Sequence, residues 1–221
     1  IAAAGIASAK FSMDFEDSMA KVSTISDDSQ VPLSDLGKAI INLSNDSGVA
    51  STEIANNVYD AISAGQSTGD AVNFVTNSTK LAKAGFAEAG QSLDLLTTIL
   101  NAYELEASQV TKVSDILINT QDKGKVTVGE LSASMGKVIP TAKAFGVNLE
   151  QVATGYAIMT AKGIKSAETT TYMNSMFNEL GKSGTKASDT IKEVAGKSFQ
   201  ELIKEGKSVG DILALIKEHA D

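Results

Sequence analysis

A chain of 221 residues with 43% hydrophobic and only 5% aromatic content fits one large domain or two small ones, burying roughly 70% of its extended-chain surface. It has no Cys, which excludes disulfides and thiolate metal sites, and no Trp, so its core must come from Ala, Leu, Ile, Val and Met. The net charge is −8 and every cation is lysine, which argues against nucleic-acid recognition, because phosphate contacts want clustered cations and base reading favours bidentate arginine.

The apolar spacing is helical nearly everywhere, and strict alternation is absent, so the chain reads as all-α. In chain order, Phe11, Phe15, Met19 and Val22 form the first stripe. Ser26 to Pro32 reads as a loop, and Ile54, Val58 and Ile62 form the next stripe. Leu93, Leu96, Leu100 and Tyr103 mark a helix that the sequence places from Ser92 to Tyr103. Val128, Leu131, Met135, Val138, Ala142 and Phe145 hold one face across several turns. Pro140 lies within that face and is expected to bend or interrupt the helix, since it lacks an N–H and crowds the preceding turn. Leu149, Val152, Tyr156 and Met159 form a further stripe.

Punctuation is plentiful. Thr127 with Glu130, Ser198 with Glu201, and Ser208 with Asp211 pair an N-cap hydroxyl with an acid three residues on. Gly65, Gly85, Gly124, Gly146, Gly163, Gly181 and Gly206 follow helical stretches, where a left-handed residue is expected. Lys80 to Gly85 before one helix resembles Thr141 to Gly146 before another from Asn148 to Met159, an offset of roughly 60 residues that suggests related hairpins. The expected architecture is an irregular compact array of short helical hairpins, about eleven helices, with a core domain over 1–184 and a C-terminal helical segment over 185–221. The chain begins at Ile1 rather than Met, which suggests a piece of a longer protein. No apolar run approaches the roughly 18 residues a membrane span needs, so no membrane contact is expected of this segment.

Candidate chemistry is thin. Three Gly-Lys-Ser triplets, Gly181 to Ser183, Gly196 to Ser198 and Gly206 to Ser208, lack the first P-loop glycine, since Met176, Ile191 and Glu201 stand there. They read instead as glycine ending one helix and serine starting the next. His219 is the sole histidine, near a helix end. The acids Asp14, Glu16, Asp17, Asp27 and Asp28 follow no EF-hand order, and Asn45 to Gly48 has Glu53 out of register with the bidentate position. They read as solvated faces and caps. Glu53, Glu150 and Glu168 are general-acid candidates by position, yet each sits near a helix start, where the helix dipole alone favours a carboxylate. Met173, Met176 and Phe177 form an apolar patch read as core. No catalytic, metal or cofactor residue is assigned, and the chain is read as a non-enzyme.

The order of motifs carries a resemblance. Phe15 to Ile25 (FEDSMAKVSTI), Glu53 to Gly65 (EIANNVYDAISAG), Thr79 to Gly85 (TKLAKAG) and Leu96 to Tyr103 (LTTILNAY) come first. Val113 to Leu117 (VSDIL), Gly124 to Leu131 (GKVTVGEL), Val138 to Gly146 (VIPTAKAFG), Val147 to Ile164 and Thr169 to Leu180 follow. In this order and spacing they resemble the core region of phage tail tape measure proteins. Gly184 to Leu215 resembles the segment that often follows that core. Ala167-Glu168-Thr169 departs from the pattern, where many relatives carry a small residue or Gly between Ala and Thr, which bears on local packing.

The resemblance implies a virion or prophage protein present in several copies in the tail tube lumen, assembled in the bacterial cytoplasm. It would template tube assembly, set tail length and leave during genome delivery. Its implied partners are tail tube and tail initiator proteins, assembly chaperones and further copies of itself, with no cofactor and no catalytic residues in this region. Two other readings stay open on the residues alone: a helical binding module of a surface or sensor protein, which calls for a long exposed apolar seam, and a peptidoglycan-cleaving fragment, which calls for a desolvated Glu in a cleft.

Overall fold

The computed structural model describes the backbone of residues 2–220 and the side chains of residues 12–219. Among these residues it contains thirteen α-helices and no strand, and eleven of the helices have seven or more residues. The all-α reading and the count of about eleven helices therefore hold.

The chain opens with α1 (Ala2–Ser23), α2 (Leu33–Ser47), α3 (Ser51–Ser63), α4 (Thr68–Ala84) and α5 (Ala89–Tyr103). A 3₁₀ turn at Ala107–Gln109 leads into α6 (Val110–Lys123), α7 (Val128–Ser134), a second 3₁₀ turn at Met135–Lys137 and α8 (Ile139–Ala144). Then come α9 (Leu149–Ala161), α10 (Ser166–Gly181), α11 (Lys186–Ala195), α12 (Phe199–Lys204) and α13 (Val209–Ala220). Sequential hairpins pack α3 on α4 and α4 on α5, and α1 returns to lie on α3. Farther along, α6 packs on α9, and α10 lies on α7, α8 and α9.

The helices turn their apolar stripes toward neighbours. Leu36, Ile40 and Leu43 are the buried face of α2, and Ile54, Val58 and Ala61 that of α3, with Ile62 half-buried. Val22 is buried while Phe15 and Met19 pack partly against the core; Phe11 lies outside the residues whose side chains are described. Val128, Leu131, Met135, Val138 and Ala142 are buried and Phe145 half-buried, but the face is split into α7, a 3₁₀ turn and α8. Pro140 stands in the first turn of α8, where its missing N–H costs nothing. It starts a helix there rather than kinking one.

The caps fall where the sequence places them. Thr127 and Ser198 each accept from the backbone N–H three residues on, and Glu130 and Glu201 accept in return from the cap N–H. Ser208 and Asp211 make the same exchange, with the Ser208 N–H donating to Asp211 Oδ2 at 2.9 Å. The Ser92 start is corrected: the helix begins at Ala89, and Ser92 is a fully buried residue one turn inside it.

Three of the seven glycines are also corrected. Gly65, Gly146, Gly163 and Gly206 are left-handed, with φ between 81° and 101°. Gly85 (φ −101°) and Gly124 (φ −100°) are not, and Gly181 is the last residue of α10. Their requirement is close approach. A Cβ at Gly85 would lie 2.3 Å from Val128 Cβ, one at Gly124 2.6 Å from Thr160 Oγ1, and one at Gly181 2.3 Å from the Phe145 ring.

This resolves the internal similarity. The Ala87 N–H donates to Ala82 O, and the Val147 N–H donates to Ala142 O, so the two turns superpose at an offset of 60, one residue from the sequence-based register. The left-handed seat then falls on Gly146 in the second turn and on Phe86 (φ 53°) in the first. Val128 occupies the space beside residue 85, so glycine stands there and the less suitable Phe takes the left-handed position.

Candidate interaction surface

The general-acid candidates do not converge. Glu53, Glu150 and Glu168 are exposed and sit in the first turns of three different helices, α3, α9 and α10. Glu150 pairs with Lys112 at 3.2 Å in an exposed bridge, not in a desolvated cleft. It lines shallow grooves of about 230 and 150 Å³ between α6 and α9, the smaller one also bounded by Tyr103. Burial, reinforced by the Glu150 charge, pushes the Tyr103 phenol well above its ordinary range. Tyr103 stays a neutral donor to Val147 O at 2.9 Å, tying α5 to the turn before α9.

The other polar candidates are structural. Asp14, Glu16 and Asp17 are exposed on α1, and no group of three or more His, Asp or Glu among the described residues is placed to hold a metal ion. Asp27 accepts from the Ser29 hydroxyl and N–H and from Gln30 Nε2, bonds that hold its carboxyl below the usual range. Asp28 accepts from the Leu33 N–H at the start of α2. Asn45 and Asp46 are exposed at the end of α2, and His219 is exposed on α13. Gly196 and Gly206 end helices and Ser198 and Ser208 start the next, as read, but α11 is capped by Thr185 rather than Ser183.

A buried hydroxyl cluster joins α7, α9 and α10. Ser134 and Ser166 hydroxyls meet at 2.6 Å, and Tyr156 meets Thr170 at 2.5 Å. Burial raises the Tyr156 phenol to about 12, so it remains protonated and able to donate. The cluster fixes the register of three helices and offers no open face. Nearby, α10 runs unbroken through Ala167-Glu168-Thr169, with Glu168 outward and Thr169 fully buried, so the departure in that motif leaves the helix intact.

What the molecule does present is apolar surface. Met13, Ile41, Phe86, Ile158, Tyr172 and Leu213 are exposed, on α1, α2, the α4–α5 turn, α9, α10 and α13. They form no long seam of the kind a helical binding module would show. Ile158 and Leu213 alone share a feature, a groove of about 360 Å³ between α9, α10 and α13 floored by Met173 and Phe177. Met173 and Phe177 are buried and Met176 is half-buried, so this patch is core with an open margin. The sequence missed the groove because its two exposed residues are 55 positions apart in otherwise ordinary stripes.

The sequence profile described as "Phage-related minor tail protein" matches residues 37–221. The chain belongs to that family. It is 37% identical over 224 residues to the "Probable tape measure protein" of Clostridium phage phiCD119, an alignment covering 96% of this chain and 24% of that protein. It is 24% identical over 195 residues to the "Tape measure protein" of Pneumococcus phage Dp-1, covering 88% of this chain and 17% of the relative. The motif-order resemblance to a tape measure core is thus met over nearly the whole chain. The chain spans about a quarter and a sixth of the lengths of these two relatives. No solved structure matches it. This member of the tail protein family has no described helix long and apolar enough to cross a membrane.

Proposed function

We propose that this chain is the folded core of a tape measure protein, acting in tail tube assembly as an organising domain and not as the measuring rod. The observation that carries the reading is the match to a limited part of two tape measure proteins by a chain whose helices reverse every few turns. A rod needs uninterrupted helix; as one helix, 221 residues would extend about 330 Å at 1.5 Å per residue. Among the described residues the longest helix has 22 residues.

The domain works without catalysis or cofactor. Its place is the lumen of the tail tube, after assembly in the bacterial cytoplasm. Its partners are tail tube and initiator proteins, tail assembly chaperones and further copies of itself. The −8 charge without arginine favours passage of DNA over its binding. Residues 1–184 form the core domain and 185–221 a packed C-terminal segment.

Deleting Ser92 to Gly124 in an otherwise intact phage tests the reading. Loss of tails, or tails of unchanged length, is the expected result. Normal tails shortened by about 1.5 Å per deleted residue would make the segment a ruler and overturn it.

A further inference from the structure

The boundary between α10 and α11 is a short turn, across which the Thr185 hydroxyl donates back to Glu179 O. Gly184 is left-handed (φ 83°) with open space where a Cβ would stand, and Lys182 has already turned from helix to extended backbone. Beyond it, α11, α12 and α13 have ten, six and twelve residues. Isolated helices of such lengths are marginal in water, so they depend on one another and on what they cover. Their shared interior is small: Ile191, Phe199, Leu202 and Ile212.

The seam with the preceding body is imperfectly filled. Open surface grooves of about 390 and 360 Å³ lie along it, one between the Phe145 turn and α12, the other between the α9–α10 face and α13. Where the grooves open, the two sides meet water and not each other, so less apolar contact area holds them together. Two side-chain hydrogen bonds tie α12 and α13 to the body: Gln200 Nε2 donates to Gly181 O, and the Val209 N–H donates to Gln151 Oε1, both at 2.8 Å. Among the described residues no ion pair crosses the seam. On the body side it is lined by Met159, Met173 and Met176, adaptable side chains that can repack when a neighbour leaves.

We propose that residues 185–221 are a hinged cover that opens as a unit about Lys182 to Gly184 while α1–α10 stay folded, baring the methionine-lined face of α9 and α10. The proposal rests on the division at residue 184 and is independent of the tail role. Local opening of this kind is expected where buried apolar contact is sparse.

The chain has no Cys, so single thiols report opening cleanly. Ser188→Cys in α11 and Ser92→Cys in α5 are near-isosteric probes at buried positions of the cover and the body. Under native conditions a maleimide should label Ser188→Cys at least tenfold faster than Ser92→Cys. Adding Ile212→Ala should speed the first several-fold and leave the second unchanged. Met173→Cys should follow Ser188→Cys, including its response to Ile212→Ala. Equal slow labelling at 188 and 92 would overturn the cover. Labelling at 188 and 92 that rises in step with Ile212→Ala would instead overturn the division itself. Fast labelling at 188 with position 173 unresponsive would show α11 fraying alone, which also defeats the proposal.

Discussion

Residues 12–184 and 185–219 solve the same problem, burying the stripes of short helices, with different thoroughness. In the longer region Leu36, Ile40, Phe74, Leu96, Leu131 and Tyr156 are all sealed from solvent, and Tyr103, Ser134, Ser166 and Thr170 add hydrogen bonds between helices. In the shorter region four buried apolar residues serve three helices, and open grooves run along its margin. Both regions are capped equally well, as Thr127 with Glu130 and Ser198 with Glu201 show. Capping therefore sets where helices start, and interhelical burial sets how firmly they are held.

The sharpest way to break this contrast is a matched pair of core truncations. Leu131→Ala in α7 and Ile212→Ala in α13 each empty a fully buried site. The first is expected to cost about 2–5 kcal/mol of global stability, seen as a lower denaturant midpoint for the whole chain. The second should loosen only α11–α13 in hydrogen exchange and leave the main transition in place. A large global loss from Ile212→Ala would show one cooperative unit.

A smaller effect comes from the close-approach glycines. Gly85→Ala forces a Cβ against the branched side chain of Val128, enclosed in the body, and overpacking of this kind costs about 1–3 kcal/mol. Gly181→Ala meets the Phe145 ring, which is half-buried and borders the open groove beside α12, so the ring can move aside. Urea unfolding should therefore rank Gly85→Ala as clearly the more damaging of the two. The reverse order would mean the seam is tighter than the open grooves suggest.

These positions also show what could be read from the chain alone. The Val128–Phe145 face, the interruption at Pro140 and the three hydroxyl-acid caps were legible, because periodicity and capping act within a few residues. Gly85, Gly124 and Gly181 were legible only as punctuation. Their reason is a side chain distant in sequence, Val128, Thr160 or Phe145, which only the assembled fold supplies. The same contact at Val128 puts Phe86 in the left-handed seat and shifts the internal repeat by one residue. The groove at Ile158 and Leu213 was invisible for the same cause, and no motif marks it.

Cap removal comes next in size. Thr127→Ala and Ser198→Ala should each cost about 1 kcal/mol of local helix stability. Thermal unfolding should register the first, while hydrogen exchange in α12 alone registers the second.

The smallest expected effect is in pH. Glu201 and Asp211 are held below the usual carboxylate range, first by the backbone N–H of Ser198 and Ser208 respectively, then by the same serines' hydroxyls. A depressed carboxylate contributes stability above its unfolded value, about 4, that is lost as pH falls through the folded value. Asp27 behaves likewise through Ser29. Asp60 in α3 has the opposite sign, since burial and then Asp94 raise it, so protonation relieves a penalty there. Acidification from pH 6 to 3 should lower amide protection in α12 and α13 before α3 and α5. Simultaneous loss would show that the depressed carboxylates of α12 and α13 do not set their acid response.

The claim beneath all of these is that the segment is a folded array of reversing helices and not a rod. Small-angle scattering of the 221-residue chain in solution tests it most directly. Compact packing gives a radius of gyration of about 17 Å for this length. A value of twice that or more would contradict the account.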